Sequence, residues 1–480
     1  MKTQLNIDFF GAAGEVTGSK HGLSGQCFGE PFKILIDYGM HQGGRDADEK
    51  NLRHLPWDPT AIDAITLTHA HIDHSGLLPR LCAQGFKGHI YCTAATFALL
   101  KILLLDSAHI QKNDYDRAVK KKERGRYRGE LPAVLYSTHD VEACLKKVKV
   151  IDYNNPTEIL PGITLEFHNA GHILGSAIAT LDFRLDSDNS ETYRVTASGD
   201  LGMFNKPLLP NPEYIHRTDA LLIEATYGDR DHKSLDETRA ELTEVINKTL
   251  AHGGNIIMPA FAVGRAQEIL LMLMALVKAQ TVPELHVWLD SPMAVAATHL
   301  TEQYFSELDE DAQALITWYK HNPHALHLRF VADVEESKAL NRIRSGAVII
   351  SASGMCEAGR ILHHLKHNLP DARNAIIMTG FQAYGTLGRR IVDGQTMVRI
   401  MGEEINVKAS VHTIGGLSAH AGQADLLNWL KGFQRVPQKT YIVHGETEPT
   451  QIFQKKIMSE LGWQSVQVAK AMQHERLLDQ

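Results

Sequence analysis

No stretch of this 480-residue chain is apolar for long enough to span a bilayer. The longest apolar cluster, Phe97 to Leu105, is interrupted by Lys101 and falls far short of the roughly 20 residues a membrane span needs. It reads as a buried helix, and no membrane partner is expected. The opening MKTQLNIDFFG lacks the charged-then-apolar layout of a secretory signal and enters a strand at once. Cysteine is scarce: Cys27, Cys82, Cys92, Cys144 and Cys356 are odd in number and contain no CxxC pair. That excludes a disulfide framework and fits free thiols in a reducing, cytoplasmic setting. There is no low-complexity tract, and no excess of positive charge. A net charge of -7 excludes a protein that coats nucleic acid by bulk attraction.

What is present is an ordinary globular composition, 44% hydrophobic and 22% charged, in a chain too long for one core. The stretch that organises it is ITLTHAHIDHSG, Ile65 to Gly76. Four polar side chains, His69, His71, Asp73 and His74, follow the short apolar run Ala64, Ile65, Leu67, which reads as a buried strand. Converging imidazoles and a carboxylate leave lone pairs without partners unless a cation sits among them. Neutral imidazole and carboxylate suit zinc at about 2.0 to 2.2 Å, and one loop cannot complete its shell, so distant ligands are expected. His69 and His71 share one side of an extended backbone while Asp73 and His74 follow its turn, which suits two ions.

In chain order, Gln4 to Phe10 and Lys33 to Asp37 read as strands separated by the glycine-rich GAAGEVTG turn. Ala94 to Lys122 is helical by its run of good formers. Arg117 to Arg128, RAVKKKERGRYR, holds seven basic residues against Glu123 alone; a solvated helix face accounts for it as well as nucleic acid does. NAGHILGSA presents His172 between glycines that allow close backbone approach. Asp200 ends the run YRVTASGD between glycines, and Glu224 ends the apolar strand ALLIE. From residue 229 four strand-then-helix units argue a parallel sheet with helices on its faces. Their strand ends, PAFAVGR, LDSPMA, SASGMCEAGR and TGFQAYGTLGRR, are where such sheets bind ligands. They are rich in Ser, Thr, Gly and Arg at helix starts, a composition that holds phosphate oxygens. Arg265, Ser351, Ser353, Arg360, Thr379, Thr386 and Arg389 are the phosphate-binding candidates. After Met397 strands return, with His420 in a small-residue turn and His444 ending a strand.

HAHIDH at 69 to 74 with His172, Asp200 and His444 resembles the ligand set of the metallo-β-lactamase superfamily. Glu224 in EATYG, His420 in SAHAG and His444 in VHGE resemble the extra motifs of its β-CASP branch of RNA-processing nucleases. Through SGMCEAGRILHHLKH and GTLGRR the likeness is to compact bacterial and archaeal members similar to the pre-mRNA 3′-end cleavage endonuclease subunit. The resemblance implies an α/β chain: an αβ/βα sandwich, built from residues 1–228 and 413–480, carrying an inserted parallel-sheet domain at 229–412. It implies two zinc ions, one held by His69, His71 and His172, the other by Asp73, His74 and His444, with Asp200 bridging. Asp37 would orient the loop's ligands. Asp73, His420 and Glu224 would serve catalysis: a hydroxide activated by both ions attacks phosphorus, and His420, kept protonated by Glu224, protonates the leaving oxygen. Single-stranded RNA is the implied substrate, since in this family a histidine at the position of His444 goes with RNA. A homodimer is compatible with it. Neither an RNA-binding module before the first strand nor a C-terminal extension is expected. The competing reading is a thioester- or lactam-type hydrolase on the same sandwich, which needs neither the inserted domain nor His420.

Overall fold

Gln4–Gly11 and Ile163–Asn169 alternate buried with less buried residues, the mark of a strand with one face in a core. They belong to two seven-stranded sheets. The computed structural model describes residues 4–43, 46–125, 129–185, 191–380 and 382–479. Met1–Phe204, Asn211–Asp231 and His420–Gln480 form one compact unit; Asn205–Pro210 and His232–Ala419 form a second.

In the first unit, one sheet runs in the spatial order Gln473–Asp479, Gln4–Gly11, Lys20–Cys27, Glu30–Ile36, Ala64–Thr66, His89–Cys92, Val148–Val150. The other runs Val466–Val468, Lys439–Val443, Ala220–Glu224, Thr192–Ala197, Ala177–Arg184, Ile163–Asn169, Thr157–Leu160. Leu5, Ile7, Phe9 and Ile34 of the first pack with Leu165, Phe167, Leu181 and Tyr441 of the second in a single core. Leu35, Ile65 and Ile90 turn the opposite way, toward Leu78, Leu100 and Val141 on helices. Leu221 and Ile442 likewise meet Leu426, Trp429 and Phe453. Three apolar layers therefore separate helix, sheet, sheet and helix, the expected αβ/βα sandwich. The last strand pairs antiparallel with the first.

Four strands of this unit, Lys20–Cys27, His89–Cys92, Val148–Val150 and Thr157–Leu160, go unmarked in the sequence. Lys20–Cys27 lies between the two expected strands, its KHGLSGQC composition poor in β-formers. Gly25 is required there, because a Cβ would stand 1.8 Å from the Gln4 carbonyl oxygen. The helix Ala94–Glu123 starts at the capping hydroxyl of Thr93. Among the described residues it is the one helix long and apolar enough to cross a membrane, yet Leu99, Leu100, Leu103, Leu104 and Ala108 bury its apolar half in the core. Arg126, Tyr127 and Arg128 of the basic run lie outside the described residues.

The second unit holds an all-parallel sheet ordered Leu326–Phe330, Leu285–Leu289, Ala347–Ser351, Ile256–Pro259, Ala375–Met378, Ser410–Thr413. The four expected strand-helix units are there. Leu326–Phe330 flanks them at one edge, its half-buried and exposed residues hiding it from a search for continuous apolar runs; Ser410–Thr413, inside the strands read after Met397, flanks the other.

Candidate metal centre

The first strand of the organising stretch ends at Thr66, and the chain turns into the short helix Ile72–Ser75 with His71 at its N-cap position. Ser75 Oγ donates to the carbonyls of Ala70 (2.9 Å) and His71 (3.0 Å), fixing the turn. Gly39 lets a second loop cross directly over it, since a Cβ there would sit 1.5 Å from the Asp73 carbonyl oxygen. Asp37, carried by that loop, has a left-handed backbone with φ of 60°. Its carboxylate accepts from the Thr68 amide (2.8 Å) and hydroxyl (2.9 Å), and lies 2.7 Å from His74 Nδ1. Ser19 Oγ adds a fourth contact at 3.3 Å.

Two groups of donors result. In the first, His71 Nδ1 stands 3.2 Å from His69 Nε2 and 3.1 Å from His172 Nε2. Asp200 Oδ2 is 3.5 Å from His69 and 3.6 Å from His172. In the second, His74 Nε2 and His444 Nε2 are 3.2 Å apart, with Asp73 Oδ2 3.5 Å from His444. Asp200 Oδ1 lies 3.3 Å from His74 Nε2 and 3.4 Å from His444 Nδ1. One carboxylate thus gives one oxygen to each group. His172, Asp200 and His444 all come from strand-end loops, and His444 shares the left-handed backbone of Asp37 with φ of 47°. Conformations of that kind at side chains other than glycine gather at functional sites.

The donor set fits a metal. Nitrogens and oxygens about 3.3 Å apart are the spacing around a tetrahedral cation with bonds of 2.0 to 2.2 Å. Asp200 Oδ1 is buried yet has no hydrogen-bond partner, a costly state that a cation relieves. The electrostatics agree. Burial, reinforced by His74, holds His69 well below the ordinary imidazole range, and burial takes His71 down to about 4 against Asp73 and Asp200; both are the neutral form a metal binds. Burial opposes a charge on His74, but Asp200 and Asp37 overcome it and raise its pKa well above the usual value. Positive charge is favoured at that point. Burial also works against Asp200, whose carboxyl is nonetheless held well below its usual range by His444 and His74.

A third element faces the donors. Glu224, fully buried, accepts from the Leu201 amide at 2.7 Å and the Thr226 amide at 3.3 Å. Its oxygens are 3.1 and 3.2 Å from His420 Nδ1, while His420 Nε2 lies 3.9 Å from Asp200. Burial lowers the pKa of His420, yet Glu224 and then Asp200 outweigh it and raise it to about 9.

Sequence reasoning missed the hydroxyls that hold these groups. Ser19 and Thr68 orient Asp37, Thr68 Oγ1 is 3.1 Å from His69 Nδ1, and Thr226 Oγ1 is 3.1 Å from His444 Nδ1. Their only signal was position, Thr68 directly before His69 and Thr226 two residues after Glu224.

The phosphate candidates already have partners within the second unit. Arg265 pairs with Glu268 at 2.8 Å and is buried. Arg360 binds Asp290 at 2.7 Å and the carbonyls of Val331 and Ala332. Ser351 Oγ donates to the Asp290 carbonyl and Thr379 Oγ1 to that of Pro259. Ser353 Oγ accepts from the Glu357 amide, Thr386 caps the helix Leu387–Val392, and Arg389 pairs with Asp393 at 2.8 Å. Ser351, Arg360 and Thr379 tie strand ends of the parallel sheet to neighbouring segments, and Arg265 is paired within its own helix. Ser353, Thr386 and Arg389 are only partly buried.

Residues 28–188 match the metallo-beta-lactamase superfamily domain, residues 266–391 the Beta-Casp domain, and residues 404–467 the Zn-dependent metallo-hydrolase RNA specificity domain. The chain is 39% identical over 444 residues to Ribonuclease TTHA0252 of Thermus thermophilus, covering 92% of this chain and 94% of that one. It is 32% identical over 452 residues to the transcription termination factor FttA of Methanocaldococcus jannaschii, covering 92% of this chain and 67% of the relative. A crystal structure of a protein of unknown function from Enterococcus faecalis V583 superposes with a TM-score of 0.55 at 12% identity, over 98% of this chain and 100% of that one. That likeness concerns the fold alone.

Proposed function

This chain belongs to the β-CASP family of metallo-β-lactamase-fold hydrolases, and on that premise we propose that it is a cytoplasmic zinc-dependent ribonuclease cutting single-stranded RNA. The observation that carries the reading is His420. Its Nδ1 is held by buried Glu224 and its Nε2 is turned toward Asp200, the carboxylate shared by both donor groups. A thioester or lactam hydrolase needs no such group.

Two zinc ions are assigned to the centre, one to His69, His71 and His172, one to Asp73, His74 and His444, with Asp200 serving both. When bound, they supply a water of lowered pKa and Lewis-acid stabilisation of charge at phosphorus. The chain's own residues do the rest. Asp37 fixes the tautomer of His74 by accepting a hydrogen bond from its Nδ1–H at 2.7 Å. Glu224 keeps His420 charged, so that Nε2 has a proton to give to the departing ribose oxygen. Asp73, 18% exposed where His74 and His444 are almost fully buried, is the member of the second group assigned to meet substrate. Ser353, Thr386 and Arg389 are the residues assigned to flanking phosphates, and the relatives' names, a ribonuclease and a termination factor, support RNA as the polymer.

Purified protein incubated with 5′- and 3′-labelled single-stranded RNA and DNA tests this. Cleavage of RNA that chelation stops is the expected result. Turnover of a lactam or thioester with none of RNA would overturn it.

A further inference from the structure

The helix Ala94–Glu123 has two halves with different tasks. At its start, Thr93 and Thr96 both donate hydroxyls at 2.7 Å to the carbonyl oxygen of Gly175, so the helix roots the loop that carries His172. Its middle is buried as far as Ala108, and Gln111 still accepts from the Leu135 amide. From Lys112 to Glu123, only Ala118 is buried. Here the sequence places Arg117, Lys120, Lys121 and Arg124, at spacings of three, four and seven residues, along one face. All four are exposed. Among the described residues only Arg117 has an acidic partner, Asp114 at 3.6 Å.

Like charges at these spacings oppose the helix that carries them. Cations in a last turn complement the helix dipole, which accounts for Lys120 to Lys122, but that effect needs neither Arg117 nor a common face. In a chain whose net charge is -7, four cations aligned over about 10 Å of helix match a polyanion with regularly spaced charges.

We propose that this face is a binding surface for the RNA backbone, gripping substrate some 35 to 45 Å along the helix axis from its rooted end. The inference rests on the ribonuclease reading and adds to it a contact remote from the bond that is cut. Contacts to phosphates carry no sequence information, so it would increase affinity for long RNA without setting sequence preference.

The test is the full-length protein with R117Q/K120Q/K121Q/R124Q, glutamine being a good helix former, beside R117K/R124K as the charge-keeping control. Binding of a long single-stranded RNA is measured from 50 to 200 mM salt. Loss of four backbone contacts reduces the slope of log affinity against log salt by about 2.8, so wild-type affinity falls about 50-fold more than the variant's across that range. Cleavage of a short oligoribonucleotide confined to the scissile bond should be unchanged, and the control should bind as wild type does. An unchanged slope in a variant that still cuts RNA overturns the proposal alone. So does loss of binding to anionic lipid vesicles with RNA binding intact. A wild type that neither binds nor cuts RNA overturns the ribonuclease reading, and this inference with it.

Discussion

Glu224 acts on His420 in two ways, by position and by charge, and the two can be separated. His420→Ala removes the proposed proton donor and should lower the cleavage rate by about 10²- to 10⁴-fold, with zinc content by elemental analysis unchanged. Full activity in that variant would remove His420 from the mechanism. Glu224→Gln keeps much of the geometry but removes the charge. His420, raised to about 9 beside Glu224, is protonated below that value, so its acid form is lost as pH climbs through it. Without the carboxylate the alkaline limb of the rate profile should move to lower pH; a limb that stays in place means another group sets it. At this scale the sequence was legible wherever chemistry and spacing coincided, as in HAHIDH. It did not show that Asp290 lies beside Arg360, 70 residues away, although Glu268, one helical turn from Arg265, was within reach of helix spacing.

Among the elements, the parallel sheet of the second unit depends on Asp290. Its carboxylate takes bonds from His364 and Ser337 at 2.6 Å and Arg360 at 2.7 Å, joining one strand end to two helices. Burial penalises its charge, but the bonds from His364, Ser337 and Arg360 prevail and keep its pKa below the usual range. The unfolded chain therefore takes up this proton first on acidification. Stability from the group is complete above the ordinary carboxylate pKa and is lost as pH falls through the lower, folded value. Asp290→Asn should cost about 3 kcal/mol in urea unfolding at neutral pH and flatten that acid dependence. A loss below a few tenths of a kcal/mol would show the network to be incidental. The apolar strands here were readable because burial on both faces writes itself as an unbroken run, as in Ala347–Ser351. Lys20–Cys27 was not, since its fit depends on glycine meeting a neighbouring backbone.

For the whole molecule, zinc should stabilise the unit that binds it, by RT ln(1 + [Zn]/Kd), about 4 kcal/mol at a thousandfold excess over Kd. Chelation is expected to speed hydrogen exchange at 64–76, 169–177, 196–201 and 441–446 while 256–259 and 347–351 keep their protection; uniform change across both sets would refute a localised metal site. The family's sandwich was legible only through motif likeness, because periodicity marks strands without saying which sheet each joins. His444 ends a strand 370 residues after its partner His74. A ribosome adding about 5 to 20 residues per second therefore holds this centre open for some 20 to 75 seconds. During that time the nascent chain, still tethered beside its own message, lacks the last donor of its catalytic centre.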